Sequence, residues 1–364
     1  MTTVFLTGFP GFLGSGLIER LLDRYDAGTT VTCLVQSKFR SQAESRAADL
    51  ADDPDRIEFA EGDLTADRLG LAEDGYADLQ AETVEVFHLA AIYDLAVERE
   101  PARQVNVEGT RRMLAFAAGV DDLERFHYVS TVVVAGTYDG RFTEEMLQEG
   151  QQFCNYYEST KHAAEVLVQE RMDDLPVTIY RPGVAVGDSD TGETQKYDGM
   201  YEFVELLADQ GSTAVVPTVF GSSGAEFNVV PRDYIVDAIG YLSGIDESGG
   251  KVYHLADPDP PTTAELIRTL GAAMGKKRTF VLPVVPKGIT EGILSSLAYV
   301  SDDAAEFVRA GGLTYFDWPP SFDCSNAVED LAGSGIECPD FEDYAENLVD
   351  FHEANPEVGS DAMH

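Results

Sequence analysis

Tyr157 and Lys161 lie four residues apart in the run Tyr157-Glu158-Ser159-Thr160-Lys161. On a helix that spacing puts a phenol and an ammonium on one face. A free tyrosine titrates near pH ~10, too high to pass a proton at neutral pH. A neighbouring cation favours the phenolate and lowers that value. A third group would hold a carbonyl oxygen beside the phenol, and Val129-Ser130-Thr131-Val132 offers two hydroxyls for it. Tyr156 is a competing phenol one register away. A second constellation stands at the start of the chain, in TGFPGFLG, where Gly8, Gly11 and Gly14 follow a short apolar run and open a helical pattern. Gly8 permits a sharp turn, Gly11 lets backbone approach a pyrophosphate, and Gly14 lets the helix sit close to the sheet. Dinucleotide binding is therefore expected, with Pro10, Phe12 and Leu13 in the same loop.

The cofactor is chosen at the end of the second strand, where an acidic residue would bind the 2′-hydroxyl of NAD. The stretch here is Val35-Gln36-Ser37-Lys38-Phe39-Arg40, basic and without Asp or Glu. Lys38 and Arg40 could meet a 2′-phosphate by charge-assisted hydrogen bonds, so NADP is favoured over NAD. Their alternative is ordinary exposed loop charge. Asp63, ahead of Leu64 in GDL, could accept from an adenine amino group or simply close a turn. His88 could tempt a reader towards a base or a ligand, but no second ligand stands at metal spacing, which favours a packed histidine.

These residues need a scaffold. Apolar strand-like runs at 3–7, 30–35, 57–60, 84–89, 126–134 and 177–181 alternate with helical patterns at 17–25, 103–118 and 156–172. Near-continuous apolar strands between helices predict a parallel, doubly wound α/β sheet covered on both faces. Beyond Arg181 the rhythm loosens. The expected division is a Rossmann domain over 1–182 and 226–262, a smaller interleaved substrate lobe and lid over 183–225 and 263–346, and a C-terminal tail over 347–364. The lobe is rich in aromatics: Tyr197, Tyr201, Phe203, Phe220, Tyr299, Phe307, Tyr315, Phe316 and Trp318. They could line an apolar pocket or pack the core of a lobe that lacks a sheet. Arg181, Lys196 and Arg232 are its candidate anion contacts.

Composition limits the partners. Across 364 residues, 25 basic against 65 acidic side chains give a formal charge of −40. That excludes non-specific nucleic-acid binding and repels anionic lipid. Arg outnumbers Lys by 18 to 7, and the acidity is spread along the chain, the pattern of a protein from a salt-saturated cytoplasm. There the screening length is about 3 Å or less. The opening MTTVFLTG has no basic leader, no apolar run is long enough to span a membrane, and the four cysteines lack metal spacing. A cytoplasmic protein with free thiols, monomeric or homodimeric, is expected.

These motifs together resemble the extended short-chain dehydrogenase/reductases, and most closely their thioester-reductase or fatty-acyl-reductase-like branch. The residues that carry the likeness are TGFPGFLG at 7–14, GDL at 62–64, HLAA at 88–91, NVEGT at 106–110, VSTVVVAG at 129–136, YESTK at 157–161 and RPGVAVGDSDTGE at 181–193. The resemblance covers at least residues 1–256. It implies Thr131 as the catalytic hydroxyl, Tyr157 as acid and Lys161 as its partner, also on the nicotinamide ribose. It leaves Ser130 structural or secondary. It further implies that His88, Leu89 and Ala90 line the nicotinamide side, that Asn106 ties the active-site end of its helix, and that Pro182, Gly183 and Val184 close over the ring. The implied reaction is NADPH-dependent reduction of a carbonyl or acyl thioester, with the acyl group on CoA or a carrier. The alternatives within the same superfamily are a nucleotide-sugar epimerase or dehydratase and a hydroxysteroid- or dihydroflavonol-like dehydrogenase. Outside enzymes, a nucleotide-sensing protein is the remaining one.

Overall fold

A computed structural model of the chain describes residues 2–51, 53–95, 97–219, 224–285 and 318–358. In chain order its strands and helices are β1 (Thr2–Thr7), α1 (Phe12–Arg24), β2 (Thr29–Val35), α2 (Arg40–Leu50), β3 (Ile57–Glu61), α3 (Glu73–Glu82), β4 (Thr83–His88), α4 (Arg99–Ala102), α5 (Thr110–Ala117), β5 (Arg125–Val129), β6 (Gly140–Phe142), α6 (Tyr156–Gln169), β7 (Val177–Pro182), β8 (Val184–Val186), α7 (Tyr201–Ala208), β9 (Thr213–Val219), β10 (Val229–Pro231), α8 (Arg232–Leu242), β11 (Val252–Leu255), α9 (Thr263–Ala273), β12 (Arg278–Val285), β13 (Pro320–Phe322), α10 (Ser325–Leu331) and α11 (Phe341–Ala354).

Seven strands form one parallel sheet in the order β3-β2-β1-β4-β5-β7-β11. The strand order reverses between β1 and β4, the switch point where such sheets bind ligands beyond their strand ends. β2 and β7 are buried along their whole length, as apolar runs covered on both faces must be. On one face α1 and α8 supply Leu17, Ile18, Leu21, Ile235 and Ile239. On the other α5 and α6 supply Met113, Leu114, Phe116, Ala164 and Val168.

The expected helix at 103–118 is a longer element. It begins with α4, passes through a π-helical stretch at Arg103–Gly109 and continues as α5. Wide turns of this kind concentrate at functional sites, and this one contains Asn106.

The smaller lobe differs from expectation in two respects. It does contain sheet: β9 pairs in parallel with β12, and β8 with β10. It also includes the first half of the segment expected to be a tail, because α11 runs through 354. Phe341, Tyr344, Ala345, Leu348 and Val349 recur at helical spacing, and they are buried against α7 and α9 residues such as Phe203, Val204 and Leu266. Tyr197, Tyr201 and Phe203 belong to this same core, which favours the packing alternative for those three aromatics. Trp318 is buried in another cluster, with Val132, Val134 and Phe322, its indole N–H donating to the Gly136 carbonyl. Phe220, Tyr299, Phe307, Tyr315 and Phe316 lie outside the described residues.

Candidate active site

The glycine loop joins β1 to α1. Gly8 has φ +101°, and a Cβ there would stand 2.9 Å from Leu89 Cβ and 3.0 Å from the Ala90 nitrogen. A side chain is thus excluded both by conformation and by the β4 loop beside it. At Gly14 a Cβ would meet the Gly8 carbonyl oxygen at 2.4 Å, so the close approach is to the loop's own backbone. Helix-to-helix packing falls instead to Gly16, against Val236. Gly11 caps α1 without a side-chain hydrogen bond, leaving the first turn's N–H groups to face a ligand. Pro10, Phe12 and Leu13 complete this loop, with Pro10 buried and the other two half-buried. A glycine cradle closed to any Cβ and an uncapped helix N-terminus fit the pyrophosphate of a dinucleotide.

At the end of β2, Gln36 and Arg40 are half-buried and Lys38 is exposed. The Lys38 ammonium lies 4.7 Å over the Phe39 ring, and the Arg40 guanidinium 4.7 Å over Phe59. Arg40 Nε donates to Glu44 at 2.7 Å. Asp63 Oδ1 accepts from the Thr65 backbone N–H and hydroxyl, each at 2.7 Å. Burial opposes ionisation of Asp63, but these bonds, Gln36 and the Lys38 charge hold its carboxyl below its usual range. Leu64 is buried beside it.

His88 ends β4 and is almost wholly buried, with Nδ1 2.8 Å from the Thr7 hydroxyl and Nε2 3.0 Å from that of Thr110. Burial, reinforced by the Lys161 charge, pushes it down to about 3, so it is a neutral packed ring with both nitrogens engaged. Leu89 and Ala90 are the half-buried residues beyond it. Asn106 Oδ1 accepts from the Ile92 N–H at 2.8 Å, and its Nδ2 donates to Thr160 on α6 at 3.0 Å. It therefore ties the β4 loop to the helix that carries Tyr157.

Beyond β5, Thr131 caps a short helical turn and its hydroxyl accepts from the Val133 N–H. Tyr157 on α6 faces the Thr131 side chain. Burial raises the phenol, Thr131 lowers it, and the carboxylates of Asp198 and Glu158 add to the rise. Tyr156 points to solvent at 48% exposure, which removes it as the alternative phenol. The Tyr93 ring meets Tyr157 edge-on at 5.0 Å. Lys161 is buried, its Nζ donating to the Tyr128 hydroxyl at 3.0 Å and the Val129 carbonyl at 2.9 Å. Burial brings Lys161 down to about 7, with Glu165 opposing. Ser130 donates to Glu165 at 2.5 Å, so its hydroxyl is committed to the interior.

Pro182 closes β7 and Val184 opens β8, with Gly183 between them at a point where a Cβ would stand 2.8 Å from Asn228 Oδ1. Arg181 is not available to a substrate anion: it is fully buried and bonded to Glu165, His254 and the Met146 carbonyl. Lys196 pairs with Asp198 at 3.2 Å and Arg232 with Asp188 at 3.4 Å. Sequence reasoning missed Glu144, Glu165 and Asn228. Asn228 exchanges two bonds with the backbone of Asp257 and so ties β10 to the loop after β11. None of the three lies in a recognisable motif, and their partners are remote in sequence.

Residues 6–239 match the NAD-binding family described as Male sterility protein. The chain belongs to this family. Among curated relatives, a component of the linear gramicidin synthase of Brevibacillus parabrevis is 30% identical over 280 residues, 73% of this chain but 5% of that protein. The fatty acyl-CoA reductase wat of Drosophila melanogaster is 28% identical over 65% of this chain and 53% of its own length. The chain thus spans only part of either relative. The solved terminal R domain from the myxalamid PKS-NRPS biosynthetic pathway superposes with a TM-score of 0.82 at 29% identity, over 98% of this chain and 91% of that one. This is an NAD(P)-binding oxidoreductase fold of the extended short-chain dehydrogenase/reductase type, related to those reductase domains. Among the described residues no group of side chains could hold a metal ion, and no helix is long and apolar enough to cross a membrane.

Proposed function

We propose that the chain is an NADPH-dependent reductase of acyl thioesters, presented on CoA or on a carrier, with Thr131, Tyr157 and Lys161 as its catalytic residues. The observation that carries this reading is the Tyr157 phenol, buried beside Thr131 and one helical turn from Lys161. These groups stand at the same sheet edge as the glycine loop, since β1, β4 and β5 are neighbours with Thr7 opposite His88 and His88 opposite Tyr128.

The cofactor, when bound, supplies the hydride. Thr131 and Tyr157 hold the carbonyl oxygen by hydrogen bonds that strengthen as negative charge develops on it. Tyr157 then gives its proton to that oxygen. A thioester becomes a hemithioacetal, which breaks its C–S bond to leave an aldehyde and a free thiol. A second hydride would carry the aldehyde to an alcohol. The Lys161 cation favours the phenolate left behind and reaches for the ribose. Gly8, Gly11 and Gly14 with the α1 N-terminus would hold the pyrophosphate, Leu89, Ala90, Pro182, Gly183 and Val184 would border the nicotinamide, and Asp63 and Leu64 the adenine.

Preference for NADP over NAD is supported by Lys38 and Arg40. Arg40 Nε is spent on Glu44 and its stacking on Phe59 orients the fork, so Nη2 is the end a 2′-phosphate would meet. The acidic composition supports a high-salt, cytoplasmic setting. The test is the loss of NADPH absorbance in molar KCl, with a series of acyl-CoAs and with aldehydes as second substrates. Thioester-dependent consumption is expected. Consumption with neither class, together with a cofactor that survives purification tightly bound, would turn the reading towards an epimerase or dehydratase.

A further inference from the structure

Lys161 is held from below by a buried line of polar groups that the proposed mechanism does not use. Its Nζ donates to the Tyr128 hydroxyl at 3.0 Å and lies 4.5 Å over the Tyr128 ring. The Tyr128 side chain is 1% exposed and sits beside Thr110. The Thr110 hydroxyl donates to the Asn106 carbonyl at 2.7 Å, inside the π-helical stretch. With its proton spent there, Thr110 must accept from His88 Nε2. That places the His88 proton on Nε2, and Nδ1 accepts from Thr7, the last residue before the glycine loop. The Thr7, His88 and Thr110 bonds thus run towards the Asn106 carbonyl, while Lys161 donates to Tyr128 and Val129.

We propose that Tyr128 is a positioning residue for Lys161: its hydroxyl fixes where the ammonium sits and keeps it charged, with Thr110 beside it as the anchor to the π-helical turn and the cofactor loop. The proposal rests on the reading of Lys161 as the partner of Tyr157. The hydrogen bond from Nζ is charge-assisted and favours the ammonium over the amine. The other titratable groups acting on Lys161 are Glu165 on its own helix, already paired with Arg181, and His88 on β4, which is neutral. Tyr157 lies one turn away on the same helix. Without the Tyr128 hydroxyl, Lys161 keeps only the Val129 carbonyl and loses its proton more readily.

The test uses the full chain with Tyr128→Phe, which keeps the ring and removes only the oxygen, and Thr110→Val, which removes the anchor. NADPH affinity is measured by titration, and Lys161 is followed directly by NMR of protein carrying [13C]lysine, which has seven lysines to resolve. In Tyr128→Phe the Lys161 titration is expected to fall by about one pH unit, the scale of one hydrogen bond to a charged group. NADPH binding should weaken several-fold, and the alkaline limb of kcat/KM should move down in pH by the same unit. Thr110→Val should shift all three in the same direction by less. An unmoved lysine titration and unchanged NADPH affinity in both folded variants would overturn the role of Tyr128 while leaving the reductase reading intact. If the wild type reduces no thioester, that reading fails on its own, and the NMR titration and cofactor affinity still decide about Tyr128.

Discussion

At the residue scale, the proposed reaction turns on a phenol that its surroundings keep protonated. Burial and two carboxylates raise Tyr157, while the Lys161 ammonium is directed at Tyr128 and Val129. A protonated phenol is the form a reductase needs, because its task is to give a proton to the developing alkoxide. Tyr157→Phe should therefore lower kcat by about 10²–10⁴-fold, the usual contribution of a positioned general acid, and leave the NADPH Kd within a small factor of the wild type. Equal losses in binding and turnover would assign Tyr157 to cofactor binding instead. Lys38→Ala combined with Arg40→Ala should weaken NADPH binding by about ten-fold or more and leave NADH unaffected, as loss of charge-assisted phosphate contacts requires. Calorimetric titration of both nucleotides checks this, and parallel losses would contradict it. The glycines, the tyrosine and the lysine were legible in the sequence because each motif is a local constraint with a fixed spacing. His88 was legible as packed but not as a link in a network, and Ser130 as structural but not as the partner of Glu165. Their partners Thr110 and Glu165 come from other elements, where spacing carries no information.

At the element scale, Glu144, which precedes α6, ties α10 to the main sheet: it accepts from the first-turn N–H groups of Asn326 and Ala327 in α10 and from the His254 N–H in β11. It acts as a helix cap supplied from 182 residues away. Burial pushes its carboxyl up to about 7, helped by Asp323 and opposed by the three N–H groups. A carboxyl raised above its ordinary 4.5 binds its proton more tightly folded than unfolded. Its contribution to stability is therefore fully present below about pH 4.5 and lost as pH rises through about 7. At constant molar KCl the unfolding midpoint should fall between about pH 5 and about pH 8, and Glu144→Gln should flatten that slope. Glu144→Ala should cost about 1–3 kcal/mol by leaving buried N–H groups without an acceptor. A slope unchanged in Glu144→Gln would place the titration elsewhere. The parallel sheet covered on both faces could be read from apolar runs alternating with helical patterns. The π-helical turn and the β9–β12 pairing could not. The first is set by what Asn106 and Thr110 bond to, and the second joins strands separated by α8, β11 and α9.

At the scale of the whole molecule, 65 acidic against 25 basic side chains make self-repulsion the dominant long-range term. Several of the basic groups are already committed, Arg181 to Glu165, Arg24 to Glu85 and Lys251 to Asp330. The surface is left strongly negative, and screening must come from salt. Thermal midpoints should rise steadily from about 0.1 M to about 3 M KCl as the screening length shortens from about 10 Å to below 3 Å. A midpoint independent of salt would remove the high-salt reading. The same charge bears on the substrate, since a free acyl-CoA is itself anionic. KM for acyl-CoA should fall with rising salt until screening is complete, whereas an uncharged aldehyde should show little dependence.

The central claim is that a thioester carbonyl is reduced at Tyr157. The most direct measurement follows NADPH loss, free thiol release and trapped aldehyde together, with an acyl-CoA in molar KCl, for wild type and Tyr157→Phe. The expected result is one thiol released for each aldehyde or alcohol formed, one NADPH consumed per aldehyde or two per alcohol, and near-complete loss of all three signals in the variant. NADPH consumption without thiol release, or thiol release that survives in Tyr157→Phe, would contradict it.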